Sequence, residues 1–147
     1  MMMTWLPTEN IQIVDSVSGW KQAIRLSAQP LLAKEVINEG YLQAIFNSHQ
    51  KLGPYYVLAP GLAMPHARPE QGAMKNGLSL LHIKQGVYFD AEENDPIHVV
   101  IMLSALSGDE HITMITALAG IFSDDERLSA LLKASSIETI QAVIIGE

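Results

Sequence analysis

The chain has 147 residues, 48% of them hydrophobic and 17% charged, which is enough apolar material for one substantial core. Sixteen acidic against nine basic residues leave a formal charge of -7, a balance that speaks against general affinity for nucleic acid or anionic lipid, since both are bound by concentrated Lys and Arg. Cysteine is absent, so disulfides, thiolate catalysis and cysteine-ligated zinc or iron–sulfur centres are excluded together. The opening MMMTWLPTEN carries neither the basic nor the apolar part of a leader, and no run reaches the ~18 to 20 apolar residues of a membrane span. The expectation is a cytoplasmic protein folded as one unit over residues 1–147, with no direct membrane insertion.

In chain order, residues 17–53 (VSGWKQAIRLSAQPLLAKEVINEGYLQAIFNSHQKLG) place apolar side chains at helical intervals. Pro30 suits a helix start, and Gly40 and Gly53 suit breaks, so two or three helices are expected before any strand. YYVLAPG and LAMPH follow as short extended segments punctuated by Pro60, Gly61 and Pro65. LSLLHIK (78–84) and IHVVIMLSAL (97–106) are the stronger strands, and the second is apolar enough to be buried on both faces. Between them QGVYFDAEENDP predicts an edge strand and an acidic turn.

The last third predicts three helices, each opened by a capping box: Ser107 with Glu110, Ser123 with Glu126, and Ser135 with Glu138. In the first, Ile112, Ile115, Leu118 or Ala119, and Phe122 define the expected core face. Helices, then strands, then helices predict an α/β three-layer sandwich, a central mixed β-sheet with helices on both faces.

The candidate chemistry lies in APGLAMPHARPEQG, residues 59–72. Pro65 stiffens the approach to His66 and ends sheet pairing, and a polar, glycine-containing loop follows, which is how a rigid scaffold displays a reactive side chain. Two readings stand: an imidazole held in a defined pose, or a turn that contains a histidine. His111 falls in the first turn of a capped helix, where outward amides and the positive dipole end favour anions; it is a donor to such an anion or an exposed residue without a task. Arg68 either clamps an anion beside His66 or is a solvated loop residue, and Glu70 either pairs with it at the surface or orients an imidazole. His82 alternates with Leu78 and Leu80 and reads as a core histidine, and His98 reads as strand-end packing. His49, near a helix carboxyl end, reads as a partly charged ring favoured by the dipole. Leu62 and Met64 are either an exposed apolar rim around His66 or core strand positions. No HxH, HExxH, G-x-S-x-G, P-loop or dinucleotide pattern occurs, so neither a metal nor a cofactor is called for.

PGLAMPHARPEQGA resembles the active-site segment of the enzyme IIA components of the bacterial phosphoenolpyruvate-dependent sugar phosphotransferase system, mannitol/fructose class. Its A-R-P-E run is most similar to the ascorbate- and galactitol-related branch, and HITMITALAGIF is similar to the helix that carries the family's second histidine. The resemblance implies that His66 is the phosphorylated histidine, taking phosphoryl from the histidine-containing phosphocarrier protein and giving it to a cysteine of enzyme IIB for carbohydrate uptake. It implies that His111 is the auxiliary histidine. The mannitol-type proteins carry an arginine well upstream of the active histidine; here SHQKLGP offers Lys51 at best, so either Arg68 supplies the charge or the site is less electropositive than in that branch. A regulatory module phosphorylated on the same histidine is the alternative.

Overall fold

The computed structural model describes residues 5–145. One mixed sheet of five strands, β1 (Ile11–Val14), β2 (Val57–Ala59), β3 (Leu62–Ala63), β4 (Gly77–Val87) and β5 (Ile97–Ser104), runs in the order β1-β4-β5-β3-β2. β1 is parallel to β4, β4 antiparallel to β5, β5 parallel to β3, and β3 antiparallel to β2. The helices are α1 (Trp20–Ala33) and α2 (Glu39–Leu52) before β2, and α3 (Gly108–Phe122), α4 (Asp125–Lys133) and α5 (Ile137–Ile145) after β5.

The period-2 pattern of the two long strands explains the layers. Leu81 and Ile83 of β4 with Val100 and Met102 of β5 pack against Ile24, Leu31, Leu42 and Ile45 of α1 and α2. Leu78 and Leu80 with Val99, Ile101 and Leu103 face the other way, onto Met114, Leu118, Ile121, Leu131 and Ile140 of α3, α4 and α5. The three-layer α/β sandwich expected from the sequence is therefore the observed architecture, and β5 is buried on both faces as its composition demands.

Several local expectations are corrected. A strand precedes the helices: β1 is only four residues long and owes its place to pairing with β4, a long-range contact no local pattern reveals. Pro30 lies inside α1 rather than at its start. Proline cannot donate to the carbonyl four residues back, and that carbonyl, on Leu26, accepts instead from Gln12 Nε2 of β1 at 2.7 Å. Gly40 sits in the first turn of α2, whose N-cap is Asn38; its Oδ1 accepts from the Tyr41 amide at 3.0 Å. Gly53 does end that helix, with φ +80 and its amide on the His49 carbonyl at 2.8 Å.

QGVYFDAEENDP forms no separate edge strand; its first residues extend β4, and Asp95 then accepts from the Phe89 and Ala91 amides to shape the acidic turn. Of the three capping boxes, Ser107 is an N-cap as expected, whereas α4 is capped by Asp124 and α5 by Ser136, each one residue beyond the expected serine. Asp124 accepts from two amides, a better cap than the serine before it, which instead returns its hydroxyl to the Ala119 carbonyl. The core face of α3 is Met114, Leu118 and Ile121, with Ile115 and Phe122 partly buried beside them; of the expected stripe Leu118, Ile115 and Phe122 face the core, whereas Ile112 is 64% exposed.

Gly72 locks the loop after β3 onto the start of α2. Its carbonyl accepts from the Asn38 amide at 3.1 Å, and with φ +139 a Cβ would stand 2.8 Å from the Tyr41 amide nitrogen. Gly72→Ala is expected to destabilise the protein by about 2 kcal/mol through backbone strain and overlap. Urea denaturation should show a lower midpoint at unchanged slope.

Candidate functional site

Adjacent parallel strands leave a sheet at the same edge, and in open α/β sheets the crevice beyond their carboxyl ends is where ligands sit. Here β3 delivers His66 and β5 delivers the Ser107 cap and His111. The ladder continues past β3, because the Leu103 amide donates to the Pro65 carbonyl at 3.1 Å. His66 and His111 thus meet, with ring centroids 4.9 Å apart and planes at 60°.

His66 is half-buried. Its Nδ1 lies 2.9 Å from the Met64 carbonyl oxygen, which can only accept, so Nδ1 carries the proton and Nε2 of the neutral ring keeps its lone pair. The pKa of the ring is held below the ordinary histidine value, chiefly by burial; the Met64 carbonyl works against this, and the neighbouring His111 adds to it.

His111 sits in the first turn of α3. Ser107 Oγ accepts from the Glu110 amide at 3.2 Å, but Glu110 does not complete the expected box by reaching back to the Ser107 amide. Its carboxylate instead meets the Ser107 hydroxyl and the Asn76 side-chain amide, while Asn76 Oδ1 accepts from Leu106 at 2.8 Å. Asn76 thereby ties the start of β4 to the helix that carries His111.

A cavity of about 470 Å³ opens over both rings. The loop residues Ala67, Arg68 and Pro69 line one side, Ser48, Leu52 and Tyr55 another, and Gly108 the helix start. Arg68 is the cation of this lining; its side chain is 79% exposed and its Nε stands 3.6 Å from Glu70 Oε1, as a surface pair. Lys51 lines a neighbouring groove and not this one. Among the described residues no group of three or more His, Asp or Glu is placed to hold a metal ion, and no helix is long and apolar enough to cross a membrane.

Leu62 in β3 and Met64 just beyond it are fully buried, so neither forms an apolar rim. Among the described residues, the exposed apolar side chains in the segments around the site include Leu52, Tyr55, Leu106 and Ile112. His82 is buried, with Nε2 2.9 Å from the Leu132 carbonyl, and His98 packs at its strand end with Nδ1 2.9 Å from the Ile83 carbonyl. His49 corrects its expectation: it is buried and stacked on Trp20 at 3.7 Å, and burial lowers its pKa, so the ring is held away from charge. Asn76, Tyr41 and Tyr55 are the site-supporting residues that sequence reasoning passed over; an Asn before a strand and tyrosines near a helix carry no local signature of that role.

The sequence profile of the family described as "Phosphoenolpyruvate-dependent sugar phosphotransferase system, EIIA 2" matches residues 4–146. The chain belongs to this family, and is accordingly an enzyme IIA component of phosphotransferase kind. It is 46% identical over 140 residues to the mannitol-specific cryptic phosphotransferase enzyme IIA component of Escherichia coli strain K12, covering 95% of each chain. It is 35% identical over 124 residues to the ascorbate-specific PTS system EIIA component of the same strain, covering 84% of this chain and 80% of the relative. Among solved structures, the solution structure of the mannitol-specific cryptic enzyme IIA from Escherichia coli superposes with a TM-score of 0.92 at 44% identity, over 100% of both chains. The complex of enzyme IIAMTL with phosphorylated enzyme IIBMTL from Escherichia coli matches with a TM-score of 0.80 at 28% identity, over 95% of this chain and 96% of that one.

The depressed pKa of His66 sets the sign of its pH behaviour. The ring stays neutral through neutral pH, and Nε2 is protonated only as pH falls below the ordinary value of about 6.5. Long-range nitrogen-detected NMR should therefore show a midpoint below 6.5 and, above it, the tautomer protonated on Nδ1. A higher midpoint or the opposite tautomer overturns the assignment.

Proposed function

We propose that this chain, as a single cytoplasmic domain, carries phosphoryl in a phosphoenolpyruvate-dependent sugar phosphotransferase system. His66 accepts it from the histidine-containing phosphocarrier protein and passes it to a cysteine of enzyme IIB. The observation that supports this most strongly is the bond from Nδ1–H to the Met64 carbonyl, which leaves a nucleophilic Nε2 facing the cavity shared with His111.

In the first step the Nε2 lone pair forms a bond to phosphorus, the donor's P–N bond breaks, and its electron pair returns to the donor ring. No proton need leave His66, because the attacking nitrogen carries none; Nδ1–H stays on Met64 and stabilises the positive charge that develops on the ring. In the second step a thiolate of enzyme IIB attacks phosphorus and the P–Nε2 electron pair returns to the ring. Such transfer asks mainly for in-line placement and donors toward the equatorial oxygens.

His111 is one such donor, and the Gly108 and Asp109 amides at the start of α3, left over once Ser107 has taken those of Glu110 and His111, are others. Arg68 is a third. Its pairing with Glu70 is exposed and long, so little holds it back from an arriving phosphate. One mobile cation suits a carrier that must release what it binds. Leu52, Tyr55, Leu106 and Ile112 supply apolar contact for the two protein partners in turn.

The test mixes the protein with phosphoenolpyruvate and the general phosphotransfer proteins and records intact mass. The wild type should gain one phosphoryl, and His66→Ala none with its circular dichroism unchanged; phosphorylation of the variant refutes the proposal. His111→Ala should fold normally and exchange phosphoryl roughly 10- to 100-fold more slowly, as expected for loss of one oxygen-directed donor. Transfer onward to the enzyme IIB cysteine separates a carrier from a module that is phosphorylated only to regulate a partner.

A further inference from the structure

The peptide group between His66 and Ala67 has two polar atoms, and a different tyrosine hydroxyl holds each. Tyr55 donates to the His66 carbonyl at 2.7 Å, and the Ala67 amide donates to Tyr41 Oη at 3.1 Å. The two tyrosines approach from opposite ends of α2, Tyr41 from its first turn and Tyr55 from the loop after its last. Each is itself fixed. Tyr41 is 1% exposed and donates to the Leu103 carbonyl at 2.7 Å, next to the strand end that leads to Ser107 and His111. Tyr55 makes an edge contact with Tyr56 at 4.9 Å, and Tyr56 is pinned by His49 Nδ1 at 2.5 Å.

Burial raises the Tyr55 pKa and pushes that of Tyr41 up to about 12, so both hydroxyls keep their protons at neutral pH. The neighbouring groups of the loop are also taken. The Met64 amide donates to the Tyr56 carbonyl at 2.9 Å, the Pro65 carbonyl accepts from Leu103, and the Arg68 amide donates to Gln71 Oε1 at 2.8 Å. His66 is therefore fixed on both sides of its Cα, by Met64 and Pro65 before it and by the two hydroxyls after it.

We infer that Tyr55 and Tyr41 are positioning residues for phosphoryl transfer, clamping the His66–Ala67 peptide so that the imidazole keeps its bond to Met64 and aims Nε2 at phosphorus. The inference rests on the proposed role of His66. If the peptide turned over, its carbonyl would lose the Tyr55 donor and its amide the Tyr41 acceptor. The backbone that sets the direction of Cβ would then be free, and χ1 and χ2 alone would have to keep the ring on its acceptor. Misplacement on the scale of an ångström is costly for an in-line reaction. Because the Ala67 and Arg68 amides are occupied, neither is available to the phosphoryl group, and α3, His111 and the Arg68 side chain supply oxygen contacts.

Tyr55→Phe is the decisive variant, since Tyr55 is 39% exposed and the change keeps the ring that lines the cavity while deleting the hydroxyl. With the phosphorylated phosphocarrier protein as donor, the maximal transfer rate should fall about tenfold while half-saturation and melting temperature stay near wild type. Ring nitrogen NMR of the unphosphorylated variant should show His66 losing its single Nδ1–H tautomer. Tyr41→Phe should slow the same step when rates are normalised to folded protein. A wild-type rate with a wild-type tautomer in Tyr55→Phe overturns the clamp and leaves the proposed function standing, and so does a loss confined to half-saturation, which would mean docking. Failure of the wild type to take up phosphoryl defeats the proposed function, whereas the tautomer readout still reports on the clamp's geometry.

Discussion

The bond between His66 Nδ1–H and the Met64 carbonyl governs the site. An imidazole is a useful nucleophile only when one known nitrogen holds the lone pair and points at the partner, and a carbonyl acceptor decides that question because it has no proton to give. The rest of the loop serves this arrangement. Met64 is fully buried one residue past β3, so the acceptor belongs to the rigid core, and its amide is held by the Tyr56 carbonyl. Burial of Met64 is thus more informative than the exposed rim that its position beside His66 suggests.

Electrostatics around the pair are weak by construction. The chain is acidic overall, Arg68 is the cation lining the cavity, and that cation is exposed and already shares a carboxylate. The positive helix end beneath His111 supplies a directional field without a full charge. Strong fixed cations would deepen a phosphohistidine well; fixed dipoles and one adaptable guanidinium favour passage. This is the balance that the proposed relay role calls for in a member of the enzyme IIA family.

The five histidines show how far residue type falls short of role. His49, His82, His98 and His66 all place one ring nitrogen on a protein oxygen. His49 and His82 sit in interiors where the second nitrogen is buried; that of His82 meets no hydrogen-bond partner among the described residues, and that of His49 stands 3.6 Å from Asp90 Oδ2. His66 differs because a proline-terminated strand, a parallel neighbour and two tyrosine hydroxyls leave its second nitrogen at a cavity facing another imidazole. Convergence of separate segments makes the site.

The amino-acid sequence by itself determined the layered α/β class, the burial of Ile97–Ser104 on both faces, the cap at Ser107, and the pairing of His66 with His111 as the residues to watch. These depend on local periodicity, on side-chain capping, and on a motif that resembles a known family. Tertiary structure alone decided the place of β1, the exposure of Ile112 on α3, the caps one residue along at Asp124 and Ser136, and the insertion of Pro30 within a helix. It also decided the tautomer of His66 and the parts played by Tyr41, Tyr55 and Asn76. The division has a physical cause: local rules act over a few residues, whereas each of these features is settled by a hydrogen bond or packing contact that only chain folding brings within reach.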